Sequence, residues 1–151
     1  MLVNNQESVE SIIDPSSQII AMLEAVCHDL GINYDPSIHL NMQSANRDID
    51  QSLGLACNVP CCLSNITLCL QIHVIRSPAY DILLGRPFDI LMESIVRNFA
   101  NEEQTITIHN HNSSCHATIL TISRGLLWHQ VPPSHCFQPD ERSSDFHNSR
   151  N

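Results

Sequence analysis

Lysine is missing from this chain altogether, and seven arginines stand against sixteen acidic residues, for a formal net charge of −9. A surface of that sign lacks the basic footprint that nucleic-acid binding requires, so no direct nucleic-acid partner is expected. Glycine is scarce at four residues, and aromatic residues make up only 5% of the chain. Collagenous and prion-like compositions are thereby excluded. Long hydrophobic runs are also missing. Runs such as Ile82 to Leu84 fall far short of the ~20 apolar residues of a membrane span. The amino terminus has no positive region followed by an apolar one. No membrane partner is expected, and the predicted location is intracellular, in the cytoplasm.

What is present is a 42% hydrophobic fraction over 151 residues, enough for one domain with a sizeable core. The seven cysteines form no CxxC pair, which favours free thiols in a reducing compartment over a disulfide framework. His109, His111, Cys115 and His116 offer nitrogen and sulfur donors to zinc in principle, but their spacing matches no finger pattern. They are read as a histidine-rich hairpin turn, with no metal and no cofactor expected.

Along the chain, residues 1–7 are polar and predicted to fray. Ser8 to Ile13 suits a short strand leading into Asp14. From there two readings stay open. In one, Asp14 caps a helix with Pro15 at its first position and Ile19, Met22, Leu23, Val26, Cys27 and Leu30 on one face; local signals favour this one. In the other, the chain turns at Asp14 to Ser17, runs a strand through Gln18 to Ile20, and starts a shorter helix near Met22.

Ile38, Leu40 and Met42 alternate as in a strand, and a polar hairpin follows to Ala56. Ile66, Leu68, Leu70, Ile72 and Val74 give the clearest strand pattern in the chain. Ile82 to Leu84 predicts a strand buried on both sides, and Phe88 to Phe99 a helix. A last hairpin pairs Gln104 to Ile108 with Ala117 to Ile122, before periodicity is lost in a tail predicted to be disordered over residues 125–151.

Three stretches together resemble the retropepsin-like aspartic peptidases, most closely the protease domains of fungal gypsy-type retrotransposon polyproteins. They are Ile12-Ile13-Asp14-Pro15-Ser16-Ser17, Met42-Gln43-Ser44-Ala45-Asn46, and Asp81-Ile82-Leu83-Leu84-Gly85-Arg86-Pro87-Phe88. The resemblance implies a mainly β, single-lobe acid protease fold over residues 8–124, a closed barrel with one or two short helices. It also implies an aspartic-type endopeptidase, a hydrolase acting in polyprotein proteolysis. Asp14 would be the catalytic acid and Pro15, Ser16 and Ser17 its loop. Leu83, Leu84, Gly85 and Arg86 would support that loop, with Gln18 the nearest partner for Arg86. Ser44, Ala45, Asn46, Arg47 and Asp48 would form the flap over bound peptide. Because such a domain carries one catalytic Asp, the implied enzyme is a homodimer. The family's Asp-Thr/Ser-Gly reads Asp-Pro-Ser here. The alternative is therefore a catalytically impaired domain of the same fold, serving in dimerisation or peptide binding.

Overall fold

In the computed structural model, which describes residues 1–43, 49–101 and 103–121, the chain is predominantly strand. Its first strands are β1 (Leu2–Val3), β2 (Glu7–Ser8), β3 (Ser11–Ile13) and β4 (Ile20–Leu23), followed by helix α1 (Glu24–Asp29). Next come β5 (Asn41–Gln43), β6 (Ile49–Gln51), β7 (Gly54–Leu63), β8 (Ile66–Ile75) and β9 (Ile82–Leu84). Helix α2 (Arg86–Met92) then leads to β10 (Ile95–Asn98), β11 (Gln104–His109) and β12 (His116–Thr121). Seven strands form one sheet in the order β2-β1-β7-β8-β4-β9-β3, in which β2 and β3 are the two ends. A three-stranded sheet β10-β11-β12 and the hairpin β5-β6 complete the set. The predicted flap residues Ser44 to Asp48 and the predicted tail lie outside the described residues.

The β7–β8 hairpin is the longest ladder, and the pattern of its second strand was legible residue by residue. Ile66, Leu70, Ile72 and Val74 are buried while Thr67, Cys69 and Gln71 face outward. Ser64, in the left-handed region at φ 57°, makes the tight turn between the two strands. A bulge between Ala56 and Val59 is taken up by Asn58 at φ 53°, whose side chain pairs with the Gln71 amide at 2.8 Å.

Phe88, Met22, Ile66, Leu70, Ile72, Ile82 and Leu84 are among the largest fully buried side chains. They share one core with Val3, Ile106 and Ile108, so the small sheet packs into the same interior as the large one. A second cluster lies on the other face of β4 and β9, where Ala21, Ile75 and Leu83 meet Ile12, Ile19, Met42 and Tyr80. Ile82 and Leu84 thus serve one face and Leu83 the other, so β9 is buried on both sides, as its unbroken apolar run predicts.

One open choice is decided and two expectations are corrected. Of the two readings after Ile13, the turn, strand and short helix is the one that forms, and the long helix from Asp14 to Leu30 is not: β4 occupies Ile20–Leu23 and α1 only Glu24–Asp29. The cause is tertiary, because β4 is buried between β8, which it meets in parallel, and β9, antiparallel to it; those ladders outweigh local helix preference. The helix expected over Phe88 to Phe99 begins at Arg86 and stops at Met92. Glu93 takes the left-handed conformation at φ 43°, and the β-branched pair Ile95-Val96 joins β11 instead. Residues 1–7 do not fray: Val3 is fully buried, and β1 pairs with both β2 and β7.

Candidate active site

Asp14 follows directly from β3, which runs parallel to β9 with Ile12 opposite Leu83 and Ile13 opposite Leu84. One more backbone bond, from the Asp14 N–H to the Leu84 carbonyl at 3.0 Å, extends that pairing to the acid itself. The chain then turns, with the Ser17 N–H donating to the Asp14 carbonyl at 3.0 Å. Ser17 in turn accepts the Arg86 N–H at 2.8 Å. The Asp14 loop is therefore fastened at both ends to the junction between β9 and α2.

Gly85 makes this fastening possible. A methyl group in its place would overlap the Ile19 carbonyl oxygen and stand 2.7 Å from that of Ser17, both of them backbone atoms. Leu83 and Leu84 supply the ladder, Gly85 the clearance and Arg86 a backbone donor, so all four predicted support residues lie against the Asp14 loop. Arg86 departs from the expectation in one respect: its side chain is exposed, and among the described residues it makes no hydrogen bond to Gln18. The residue acts here through its N–H.

Asp14 is half-buried, between exposed Pro15 and half-buried Ile13. Its Oδ1 accepts the Ser16 N–H at 3.0 Å and the Ser16 hydroxyl at 2.5 Å. Oδ2 makes no hydrogen bond among the described residues. The carboxylate thus closes a local turn through one oxygen and leaves the other without a hydrogen-bond partner among the described residues.

The same tripeptide occurs again. Asp35-Pro36-Ser37 has the same local geometry, with Asp35 Oδ1 accepting the Ser37 N–H at 2.8 Å and the Ser37 hydroxyl at 2.6 Å. Those two bonds, the hydroxyl first and the amide second, hold the Asp35 carboxyl below the usual carboxylate range. Asp35 also bridges Leu55 through backbone bonds of 2.9 and 3.1 Å, close against Gly54. It serves as a turn at the foot of the β5–β6 hairpin. The repeat is visible in the sequence as two copies of Asp-Pro-Ser, a signal that a search for longer repeats misses.

The hairpin stem is fixed from below by Ser52, which is 3% exposed. Its Oγ accepts the Leu40 N–H at 2.9 Å and lies 3.4 Å from His73 Nδ1, while its own N–H donates to the Leu40 carbonyl. Burial pushes the His73 ring below its ordinary pKa, which favours the neutral ring beside the Ser52 hydroxyl. Neither residue stands out in the sequence, since nothing local brings Ser52 to His73. Met42, on the same stem, packs on the apolar cluster of Ala21, Ile75 and Leu83. Ile12 belongs to that cluster too, so the stem and the strand leading to Asp14 share one apolar floor.

Six cysteines among the described residues are free, and burial pushes the Cys61 thiol up to about 12. That thiol is no nucleophile at neutral pH. No described helix is long and apolar enough to cross a membrane.

No protein-family model and no curated protein matches the sequence. A solved structure does match in shape: the retroviral protease-like domain of Ddi1 from Leishmania major, with a TM-score of 0.58 at 15% identity. The alignment covers 81% of this chain and 91% of that one. With the mainly β sheets and the loop fastened over Gly85, that likeness defines a retropepsin-like fold.

Proposed function

We propose that the chain is an aspartic endopeptidase that works as a homodimer, with Asp14 of each copy forming one side of a shared catalytic pair. The observation that carries this is the fastening of the Asp14 loop to the β9–α2 junction, which fixes a half-buried carboxylate with one oxygen left without a hydrogen-bond partner among the described residues. Two carboxylates brought side by side cannot both ionise readily, so the pair holds one proton. The ionised member takes a proton from a water molecule as that water attacks the scissile carbonyl. The protonated member gives its proton to the carbonyl oxygen, forming a gem-diol. The carboxyl that took the water's proton then passes it to the amide nitrogen while the other carboxylate takes a proton from a gem-diol hydroxyl. The C–N bond breaks to release amine and acid, with the pair again holding one proton. The pH profile belongs to the pair and not to either residue.

Substrate would lie extended over Ile12, Ile19 and Met42, the partly exposed members of the apolar floor, beside the β5–β6 hairpin. Backbone bonds would hold the peptide while apolar side chains alternate into the floor. A polyprotein of a fungal gypsy-type retrotransposon is the proposed source and target. The exposed apolar edge β10, with Ile95, Val96 and neighbouring Phe99 facing solvent, supports a second copy as the partner. Purified protein is expected to cleave an extended apolar peptide, to be blocked by a statine-type analogue of the tetrahedral species, and to lose turnover on Asp14→Asn. Unchanged cleavage by that variant would refute the assignment.

The second reading keeps the fold without the chemistry, and Asp35-Pro36-Ser37 favours it: the same tripeptide serves there as a turn. Under that reading Asp14 closes a loop and the dimer binds peptide without cutting it.

A further inference from the structure

Opposite strand ends at the tip of the β11–β12 hairpin carry a pair of histidines that the peptidase reading does not use. His109 ends β11 and His116 begins β12; they are direct cross-strand partners on one face of the sheet. Their ring centres lie 6.0 Å apart with the planes tilted by 39°. An imidazole bound to zinc at about 2.0–2.1 Å has its ring centre about 3.2 Å from the ion, so two such rings at a tetrahedral angle stand about 5.2 Å apart. The observed separation is wider by about 0.8 Å, a gap that rotation of the two side chains at the hairpin end closes.

A second, independent feature points the same way. His109 Nδ1 lies 3.3 Å from the carbonyl oxygen of Glu93, which can only accept, so this nitrogen carries the proton. The lone pair is left on Nε2. A backbone carbonyl that fixes the tautomer of a ring is the usual outer support of a metal-binding histidine. Glu93 itself is held at φ 43° by the end of α2, and its carboxylate reaches to 3.8 Å from His111 Nε2. Both side chains are largely exposed, at 66% and 49%, and turn at little cost.

We propose that His109 and His116 bind a divalent transition ion of the zinc class, with the Glu93 carboxylate or His111 as third donor and water completing the shell. Among the described residues no three donors already stand in a finished coordination set, so the third swings in on binding. Two imidazoles with a carboxylate suit zinc and copper(II), and not magnesium or calcium, which take oxygen donors. The site is independent of Asp14.

Calorimetric titration of the full chain with zinc chloride, paired with NMR of the histidine rings, tests this. Saturable binding of one ion that shifts the His109 and His116 resonances is expected, weakened roughly tenfold or more by His116→Ala and less by Glu93→Gln. Should His109→Ala loosen the hairpin, exposed His116 still carries the test. Binding that is equally tight in His116→Ala would belong to exposed thiols such as Cys57 and Cys69 and would overturn the proposal. So would the lack of saturable binding up to ~1 mM zinc.

Discussion

Ser16 is the residue on which the proposed chemistry turns. Its hydroxyl and amide both occupy Oδ1 of Asp14, and its side chain stands where the Asp-Thr/Ser-Gly motif that the sequence resembles has glycine. Replacing it with glycine keeps the amide and removes the hydroxyl. In the active reading Ser16→Gly is expected to raise kcat by roughly tenfold, a barrier change of about 1.4 kcal/mol, measured on the same apolar peptide. Ser37→Gly, at the matching turn beneath the hairpin, should leave kcat unchanged. Gly85 answers a different question, because a side chain there meets backbone and not a flexible neighbour. Gly85→Ala is expected to destabilise the fold by about 3 kcal/mol, read from urea unfolding midpoints at constant slope.

At the scale of elements, His73 ties the hairpin stem to β8 through Ser52. Burial lowers the ring's pKa in the folded state, so between that lowered value and the ordinary ~6.5 the unfolded chain binds more protons. Stability therefore rises with pH through that window, and the same contribution is lost as pH falls through it from ~6.5 to the lowered folded value. Unfolding curves on either side of pH ~6 should show the slope, and His73→Gln should flatten it. A slope that survives the substitution would assign it to another group. β10 is the other element with a consequence. Its apolar residues face solvent along an open edge, so Val96→Glu is expected to weaken self-association in sedimentation while leaving the monomer folded.

These elements also mark what the sequence could and could not convey. β8 and β9 were legible because burial imposes a period of two on one and an unbroken apolar run on the other. β4 was not, because Ile20-Ala21-Met22 suits a buried strand and a helix face equally; only its ladders to β8 and β9 decide. The Asp14 loop was found through its likeness to a motif, whereas its fastening depends on Ser17 and Arg86, whose backbones meet across 69 residues of sequence. The Ser52–His73 contact had no local signal at all.

At the scale of the whole molecule, one chain provides one positioned Asp14, and the account requires two. Activity must then depend on how subunits pair. In mixtures of wild-type and Asp14→Asn chains at fixed total concentration, random pairing gives a mixed dimer with a single catalytic carboxylate. An equal mixture should retain roughly a quarter of the wild-type rate if the shared pair is the site. Retention of about half the rate, the value for chains that each act alone, would contradict it.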